Sequence, residues 1–420
     1  MLGFASLQAV GQVLTMAVPL LIAKTLTPDA FGRYSFSEII LFFCSTLFFT
    51  SAKTAIVVTA NQELVQTGKI CKTFAAHLLF LIAAICGTFL LLIIFQKPLR
   101  HFAAINASEL LWLGMAVVGW VMKDFLATLQ LSMNQKLRSA FTEIAFGTLS
   151  LIALAYFWAT DAVTLKNVFI SYGVAGILTV LIALGILNYR KMLPLVFDRQ
   201  WVRQIATFAL WTCAGTMAVY FINWGGLLVM RKFSSFADAG TYNLAYKFFK
   251  GFMAMVYIFP AYFLPTVSAH INNSAAIRTF LNHKRPRIMA FGIVCLVFAY
   301  FLIPYAMNIL YENKFPSAVP VARLLLIAAT VFLYTTFHAT IVNAAKAYKF
   351  TQFAYISQVV INMILNIVLI PSMGMYGAAI ATVVSYIYLA IIFEHFFRRK
   401  LKKMLFSTGE SYLSNSSQPL

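Results

Sequence analysis

The fold is decided by residues 350–393, FTQFAYISQVVINMILNIVLIPSMGMYGAAIATVVSYIYLAIIF, a stretch without a charged side chain. A helix crosses the roughly 30 Å hydrocarbon core of a bilayer with about 20 apolar residues, so this stretch is long enough for two crossings. Its middle, Pro-Ser-Met-Gly-Met-Tyr-Gly at 371–377, carries a turn signal. The sequence therefore predicts two membrane-spanning helices joined by a tight turn.

The rest of the chain has the same character. Of 420 residues, 61% are hydrophobic and 10% are charged, whereas soluble domains have about 25% charged residues. This composition excludes a soluble enzyme, a disordered chain and a disulfide scaffold, and the long segments lack the alternation of barrel strands. We predict an all-α polytopic membrane protein. Twelve spans are expected, at residues 2–24, 34–59, 74–95, 110–132, 142–160, 168–188, 205–230, 240–268, 288–311, 321–343, 351–370 and 375–396.

The basic residues give the orientation. The formal net charge is +20, and nineteen Lys and Arg residues fall in one set of alternate loops and the C-terminal tail, against eight in the opposite set. The richer side is expected to be cytoplasmic, which places both termini there. Short basic loops suit an anionic membrane surface, so no nucleic-acid partner is predicted. Residues 1–23 are uncharged and long enough to cross, so we expect no cleaved signal peptide.

The two halves of the chain repeat a short pattern 208 residues apart. The matching pairs are Gly32 with Gly240, Tyr34 with Tyr242 and Lys24 with Lys232. An offset near half the chain length predicts a duplication, with two six-helix lobes around a central cavity. The predicted organisation is an N-terminal lobe at 1–190, a cytoplasmic linker at 191–204, a C-terminal lobe at 205–397 and a basic cytoplasmic tail at 398–420.

The opening run of the chain resembles a known family. Residues 19–34, PLLIAKTLTPDAFGRY, are similar to the start of the polysaccharide-transporter (Wzx-type) flippases of O-antigen and capsule repeat units. These flippases share a superfamily with the multidrug-and-toxin-extrusion antiporters and the lipid II flippases. Three further similarities are YFLPT at 262–266, YENKF at 311–315 and MGMYGAA at 373–379.

This resemblance implies a V-shaped bundle of two lobes in the bacterial inner membrane. It also implies that the protein moves undecaprenyl-diphosphate-linked oligosaccharide from the cytoplasmic to the periplasmic leaflet by alternating access. Membrane lipids, Na⁺ or H⁺ as a coupling ion, and other polysaccharide-assembly proteins are the further partners to expect. No cofactor and no bound metal are predicted, and the absence of Walker A, GxSxG and HExxH motifs indicates a protein that is not an enzyme.

Lysines inside predicted spans are the candidate substrate ligands, because a buried diphosphate needs fixed cations and charges in a membrane helix are costly. Asn243, Lys247 and Lys250 share one face of the eighth predicted helix. Lys53 lies in the second helix, and Lys123 heads a polar stripe in the fourth. The alternative for each lysine is a side chain that extends to the interface or pairs within the bundle. Lys24 and Arg33 are candidates for the cavity rim or for simple interfacial anchors.

Acidic residues in spans would favour a cation-coupled drug antiporter of the same fold. We expect Glu38 and Glu143 near helix ends, and Asp124 to point away from its neighbour Lys123. The lining is therefore predicted to be more basic than acidic, which favours an anionic cargo. A membrane-embedded glycosyltransferase, the third alternative, would need a large periplasmic loop that is not predicted here.

A second-lobe asparagine set resembles the sodium site of related lipid II flippases. Its members here are Asn223, Asn362, Asn366 and Thr382. The pattern would have carboxylates at Asn223 and Asn366, so Na⁺ binding competes with simple hydrogen bonding between helices. His77 and His338 are interpreted as hydrogen-bonded packing residues, and the five cysteines as buried thiols.

Overall fold

The structure, a computed structural model, describes residues 2–185, 187, 189–269, 279–345 and 347–401. These residues are almost entirely helical, and they include no β-strand. Among them, ten helices are long and apolar enough to cross a membrane, and two of these are much longer than one crossing. The prediction of an all-α polytopic membrane protein is confirmed. Of the predicted basic tail at 398–420, residues 402–420 lie outside the described part.

The chain divides into two compact units. Unit 1 comprises residues up to Trp224 together with Ser235–Gly240, and unit 2 comprises Gly225–Ser234 and the chain from Thr241 onward. Unit 1 holds α1 (Leu2–Thr25), α2 (Pro28–Ser45), α3 (Ser51–Thr67), α4 (Cys71–Ile94), α5 (Gln96–Ala103), α6 (Ala107–Ser132), α7 (Lys136–Ala159), α8 (Leu165–Leu184) and most of α9 (Arg199–Phe233). Unit 2 holds most of α10 (Phe236–Ala269), then α11 (Arg285–Tyr311), α12 (Ala318–Ala344) and α13 (Tyr348–Phe396).

Each predicted span corresponds to a helix, but several helices start earlier than predicted. A π-helical turn at Thr46–Thr50 joins α2 to α3, so that a continuous helical segment runs over Pro28–Thr67. It begins at Pro28 because the Thr27 hydroxyl accepts the Ala30 amide at 3.3 Å, and proline suits the first turn of a helix. Hydropathy marks the first apolar residue of a span, whereas the cap marks the first helical one.

Residues 350–393, the long uncharged stretch, form the two predicted helices and the turn between them. Gly374 has φ 55° and ψ −131°, a backbone conformation that favours glycine, and it interrupts α13. Asn362 Nδ2 lies 3.3 Å from Ser385 Oγ, and the rings of Phe350 and Phe396 stack at 3.7 Å. In a straight helix the first pair would be about 35 Å apart. The chain therefore reverses at Gly374, and α13 consists of two antiparallel arms.

The repeated glycines lie against each other at the starts of α2 and α10. A Cβ on Gly240 would lie 2.7 Å from the Pro28 carbonyl oxygen and 2.9 Å from the Gly32 nitrogen. A Cβ on Gly32 would lie 1.8 Å from the carbonyl oxygen of Phe236. Small residues allow two membrane helices to approach at backbone distance. The pattern found in sequence as a repeat is therefore also a direct helix–helix contact.

The first part of α9 belongs to unit 1. Its residues Ile205 and Ala209 are buried in a cluster with Ala52, Ala55 and Ile56 of α3. The unit boundary at Trp224 thus differs from the predicted lobe boundary at residue 205. The predicted six-helix lobes stay a prediction.

The cysteines are less buried than expected. Cys44 and Cys71 are buried, but Cys86 and Cys295 are exposed on the isolated chain. The prediction of five buried thiols is wrong for these two, because hydropathy alone does not separate a helix face that packs on protein from a face that contacts lipid.

Candidate functional site

Lys123 is at the centre of a buried ion cluster in unit 1. Its Nζ lies 2.9 Å from Asp124 Oδ1 and 3.0 Å from Glu143 Oε2. The Lys123 side chain is 4% exposed, and the ring centres of Trp120 and Phe146 lie 4.5 Å and 5.4 Å from the ammonium. The sequence did not require Asp124 and Lys123 to pair, but the flexible lysine side chain reaches across to its neighbour, and the alternative of an ion pair between helices is met by Glu143. This arrangement favours a structural role for Lys123.

Lys53 lies near the same cluster. Its side chain is half-buried in α3, and its charge interacts with the Asp124 carboxylate and with the imidazole of His77. The His77 ring packs against Phe49 and Phe125 at 5.6 Å and 4.2 Å. Neither ring nitrogen has a hydrogen-bond partner among the described residues, so the prediction of a hydrogen-bonded His77 is wrong.

Buried carboxylates in unit 1 balance its buried cations. Glu38 is 6% exposed and bonds to the Tyr34 hydroxyl, which in turn lies 3.0 Å from the Tyr172 hydroxyl. Glu38 and Glu143 lie about 15 Å and 10 Å from the starts of α2 and α7, farther along each helix than predicted, because both helices start about six residues early. With Asp124 they offset Lys53 and Lys123. The interior of unit 1 therefore contains both charges, while the predicted basic lining of a cavity between the lobes stays a prediction.

Lys247, Lys250 and Asn243 lie on α10 as the sequence predicted. The helix begins after Ser235, whose hydroxyl accepts the Asp238 amide at 3.1 Å, so Lys247 and Lys250 lie about 16 Å and 21 Å from its start. Asn243 is fully buried, Lys247 is 7% exposed, and the Lys250 ammonium lies 5.2 Å from the ring centre of Tyr246. The sequence contains no Asp or Glu between residues 239 and 311. We call this part of α10, which has two lysines and no acidic residue of its own, the cationic segment.

The two residues predicted for the cavity rim are exposed. Arg33 pairs with Asp29 one turn earlier, at 3.0 Å, and the Lys24 ammonium lies 5.8 Å from the ring centre of Trp158. Both arrangements are typical of interfacial side chains. Their placement at a cavity rim stays a prediction.

The asparagine set is only partly brought together. Asn366 Nδ2 donates to Asn362 Oδ1 at 2.8 Å, and Thr382 lies within bonding reach of the Tyr242 hydroxyl. Asn366 is 1% exposed, and its Oδ1 has no hydrogen-bond partner among the described residues. Asn223 instead donates to the Val219 carbonyl oxygen on its own helix, at 2.8 Å.

This set lacks the two carboxylates of the sodium-site pattern, because Asn223 and Asn366 stand at those positions. The Asn362 oxygen accepts one hydrogen bond, and the Thr382 hydroxyl donates its proton to Ala378 O at 2.9 Å, which leaves its oxygen able to accept. Asn366 Oδ1 has no hydrogen-bond partner among the described residues, and sodium binding by this set stays a prediction. Hard cations need several oxygen ligands. The described residues also contain no group of three or more His, Cys, Asp or Glu placed to hold a metal ion.

A polar cluster that the sequence did not reveal lies in unit 2. His338 Nε2 lies 2.8 Å from Glu394 Oε2 and 3.3 Å from Arg285 Nη1, and the Tyr334 hydroxyl donates to Glu394 at 2.9 Å. Arg398 also pairs with Glu394. These residues come from three separate helices, so no spacing in the sequence could have brought them together. The prediction of His338 as a hydrogen-bonded packing residue agrees with this geometry.

The start of α9 is fixed by Asp198. Its Oδ1 accepts the amides of Gln200 and Trp201 at 2.9 Å and 3.2 Å, and its Oδ2 accepts the Lys72 ammonium at 2.8 Å. The hydrogen bond from Lys72 has the largest effect on Asp198, and the hydrogen bonds from the two backbone amides add to it. Together they hold the pKa of Asp198 below its usual value. Asp198 therefore caps α9 and ties it to α4.

We expect Asp198→Ala to lower the melting temperature of the detergent-solubilised protein at pH 7. The folded pKa is lower than the unfolded one, so the carboxylate stabilises the fold above the unfolded pKa of about 3.9, and this contribution disappears as pH falls through the folded value. The difference in melting temperature from wild type should accordingly shrink between pH 5 and pH 3. A pH-independent difference would contradict the assignment, and Asp198→Asn should retain part of the cap.

Comparisons with known proteins identify the fold. The chain is similar to a multidrug-resistance MATE-family transporter of the MOP superfamily in its inward-facing conformation, with TM-score 0.78 and 10% identity, over 98% of this chain and 96% of that one. It is also similar to the lipid II flippase MurJ, inward closed, with TM-score 0.74 and 13% identity, over 100% and 94%. A third match is the Vibrio cholerae MATE transporter VcmN in its bent form, with TM-score 0.59 and 12% identity, over 97% and 100%.

These likenesses cover nearly the whole of each chain, so the protein has the MATE-like fold that the sequence predicted. No protein-family model matches the chain. The curated proteins contain no match either. Identities of 10–13% show the fold alone.

Proposed function

We propose that this protein is a flippase that moves undecaprenyl-diphosphate-linked oligosaccharide repeat units from the cytoplasmic to the periplasmic leaflet of the bacterial inner membrane. The fold similarity to the lipid II flippase and to MATE transporters supports a transporter of this superfamily. The proposal also places both termini in the cytoplasm. Lys and Arg are concentrated in the C-terminal tail and in the set of alternate loops on the same side of the membrane, and the side richer in these residues is normally cytoplasmic.

The observation that carries the proposal is the cationic segment of α10. Lys247 is 7% exposed and lies on one helix face with Asn243, deep within a helix of 34 residues. An ammonium is held at such a position only at a considerable cost, which in membrane proteins is typical of a functional group. A diphosphate carries the complementary charge, and it too must leave water in order to cross.

The proposed mechanism needs no covalent step. Lys247 and Lys250 donate hydrogen bonds to the diphosphate oxygens, and the Asn243 amide adds a neutral donor, so that the headgroup exchanges water for fixed donors as it crosses. Lys53 is a weaker candidate because Asp124 already interacts with its charge. Lys123 is not assigned to cargo, since two carboxylates hold it. Sodium coupling is not part of the proposal, because the asparagine set has no carboxylate to balance the charge of the ion.

We expect Lys247→Ala and Lys250→Ala each to lower the rate of headgroup translocation in proteoliposomes roughly ten- to hundredfold, the value of one or two lost charge-assisted hydrogen bonds. Lys247→Arg should retain part of the rate because it keeps the charge. Lys166→Ala is the matched control, since this exposed lysine lies at the start of α8 beside the ring of Trp112. Wild-type rates in both alanine variants, at normal expression, would refute the proposed function.

A cation-coupled drug antiporter of the same fold is the second candidate, and the buried carboxylates of unit 1 favour it. Glu38, Asp124 and Glu143 could together hold a proton or a cationic drug. The discriminating measurement is ethidium efflux from cells that express the wild type, Asp124→Asn or Glu38→Gln. Efflux that is present in the wild type and lost in both variants would support the antiporter.

A further inference from the structure

Three helix ends meet at the polar cluster of unit 2. Arg285 is the first residue of α11, His338 lies about 9 Å before the end of α12, and Glu394 lies close to the end of α13. The His338 side chain is 1% exposed and packs against the rings of Tyr334 and Phe397, whose centres lie 4.9 Å and 5.2 Å from its own. The imidazole is therefore the buried centre of the cluster, in contact with both α11 and α13.

One nitrogen of His338 contacts two groups that make opposite demands on it. Nε2 lies 2.8 Å from Glu394 Oε2 and 3.3 Å from Arg285 Nη1. A guanidinium only donates and an ionised carboxylate only accepts, whereas a ring nitrogen offers either one N–H or one lone pair. Without a hydrogen on Nε2, the contact with Arg285 is a hydrogen bond and the contact with Glu394 is repulsive. With a hydrogen the two roles exchange, so only one of these contacts is favourable at a time.

Glu394 links this nitrogen to water. The Tyr334 hydroxyl donates to Glu394 Oε2 at 2.9 Å, and Arg398 pairs with the same carboxylate, so both neighbours match its ionised form. The side chains of Glu394 and Arg398 are 22% and 73% exposed. Exposed charges are costly in hydrocarbon, so this end of α13 lies in polar surroundings. A proton from water can accordingly reach the pair formed by His338 and Glu394.

Two other interpretations of the cluster agree less well with its geometry. A purely structural histidine would have partners that suit a single protonation state, which the two contacts of Nε2 do not allow. A metal ion would have to displace Arg285 from the imidazole and Arg398 from the carboxylate. A proton displaces neither ligand, because it occupies the space between Nε2 and Oε2.

We propose that the His338–Glu394 pair is a proton-binding site, and that its occupancy decides whether α12 is hydrogen-bonded to α11 or to α13. When a proton from water binds, the imidazolium N–H donates to Glu394, and the cluster gains one positive charge. Arg285 then loses its acceptor and is repelled. When the proton leaves, the Nε2 lone pair accepts the Arg285 guanidinium again. The site goes beyond the proposed function, since it does not depend on the cargo.

Few groups determine how this site responds to pH. The charges that interact with the His338 ring are those of Arg285 from α11 and of Glu394 and Arg398 from α13. Tyr334, on α12 itself, is the other titratable neighbour. Arginine and tyrosine keep their protons throughout the acidic and neutral range, so among these groups only the pair changes its charge on acidification. A proton carried by Glu394 would likewise be donated to Nε2 and would exclude Arg285 equally.

Two double-mutant cycles on the purified protein in detergent test this exchange. One combines His338→Phe with Arg285→Met, the other combines His338→Phe with Glu394→Met, and each measures coupling as the non-additive shift in melting temperature. We expect a favourable coupling of His338 to Arg285 at pH 8 that is lost at pH 4.5. The coupling to Glu394 should become more favourable over the same change. His338→Leu takes the place of the phenylalanine variant if that protein does not fold.

His395→Phe is the matched control, because His395 is exposed and follows Glu394 directly in the sequence. Its cycle with Arg285→Met should show no coupling that depends on pH. The proton site would be overturned if the coupling of His338 to both partners were the same at the two pH values. It would also be overturned if the coupling to Arg285 strengthened on acidification. Neither result bears on the proposed function, since no cargo is present.

Discussion

Replacing Lys123 with methionine is expected to lower the free energy of unfolding by about 3–5 kcal/mol, the usual cost of removing one partner from a buried ion cluster. Methionine fills a similar volume, so the loss comes from the charges. Asp124 and Glu143, whose side chains are 10% and 17% exposed, would be left without their shared cation. The measurement is thermal or denaturant unfolding of the protein in detergent, followed by the fluorescence of its tryptophans.

The control for this prediction is the fully neutral variant Lys123→Met/Asp124→Asn/Glu143→Gln. It should recover most of the lost stability, because neutral side chains of similar shape carry a much smaller desolvation cost. The structural role of Lys123 would be refuted if Lys123→Met were as stable as the wild type and yet inactive in translocation. Lys123 would then contact the cargo.

Gly32→Ala is expected to prevent normal folding, with a cost of about 3 kcal/mol or more, the upper end for overpacked sites. The added Cβ would lie 1.8 Å from the carbonyl oxygen of Phe236 and 2.5 Å from its carbon. Both are backbone atoms, so no side chain can rotate away to make room. The yield of monodisperse protein on size-exclusion chromatography measures the effect, and Gly240→Ala should behave similarly because it meets the same contact.

The matched control is Gly215→Ala on α9. Apart from the backbone of its own helix, no atom of the described residues lies within 4 Å of the position of its Cβ, and alanine is a better helix former than glycine by up to about 1 kcal/mol. Normal or slightly improved yield is expected there. If Gly32→Ala folded as well as Gly215→Ala, the close crossing of α2 and α10 would be refuted.

The order of the helices could be predicted from hydropathy, because a membrane span needs a long apolar segment wherever it lies in the fold. The turn at Gly374 could be predicted as well, since glycine and proline have strong local preferences. Helix starts were less accurate. They depend on caps such as Thr27 and Ser235, which are single polar residues that hydropathy averages away.

The candidate site was less predictable, because it depends on which helices become neighbours. A lysine inside a span predicts a ligand for cargo, and only the packing of α7 places Glu143 beside Lys123. The packing of the first part of α9 on unit 1 was not predictable for a related reason, because it depends on the contacts of Ile205 and Ala209 with another helix.

The passage of α9 from one unit to the other also affects how this chain can be dissected. A fragment ending at residue 190 would lack the helix that covers Ala52, Ala55 and Ile56, and it would present that apolar strip on its surface. A fragment starting at residue 205 would carry the complementary strip. The polar connection between α8 and α9 is therefore a poor place to divide the gene for co-expression, even though composition alone marks it as the obvious one.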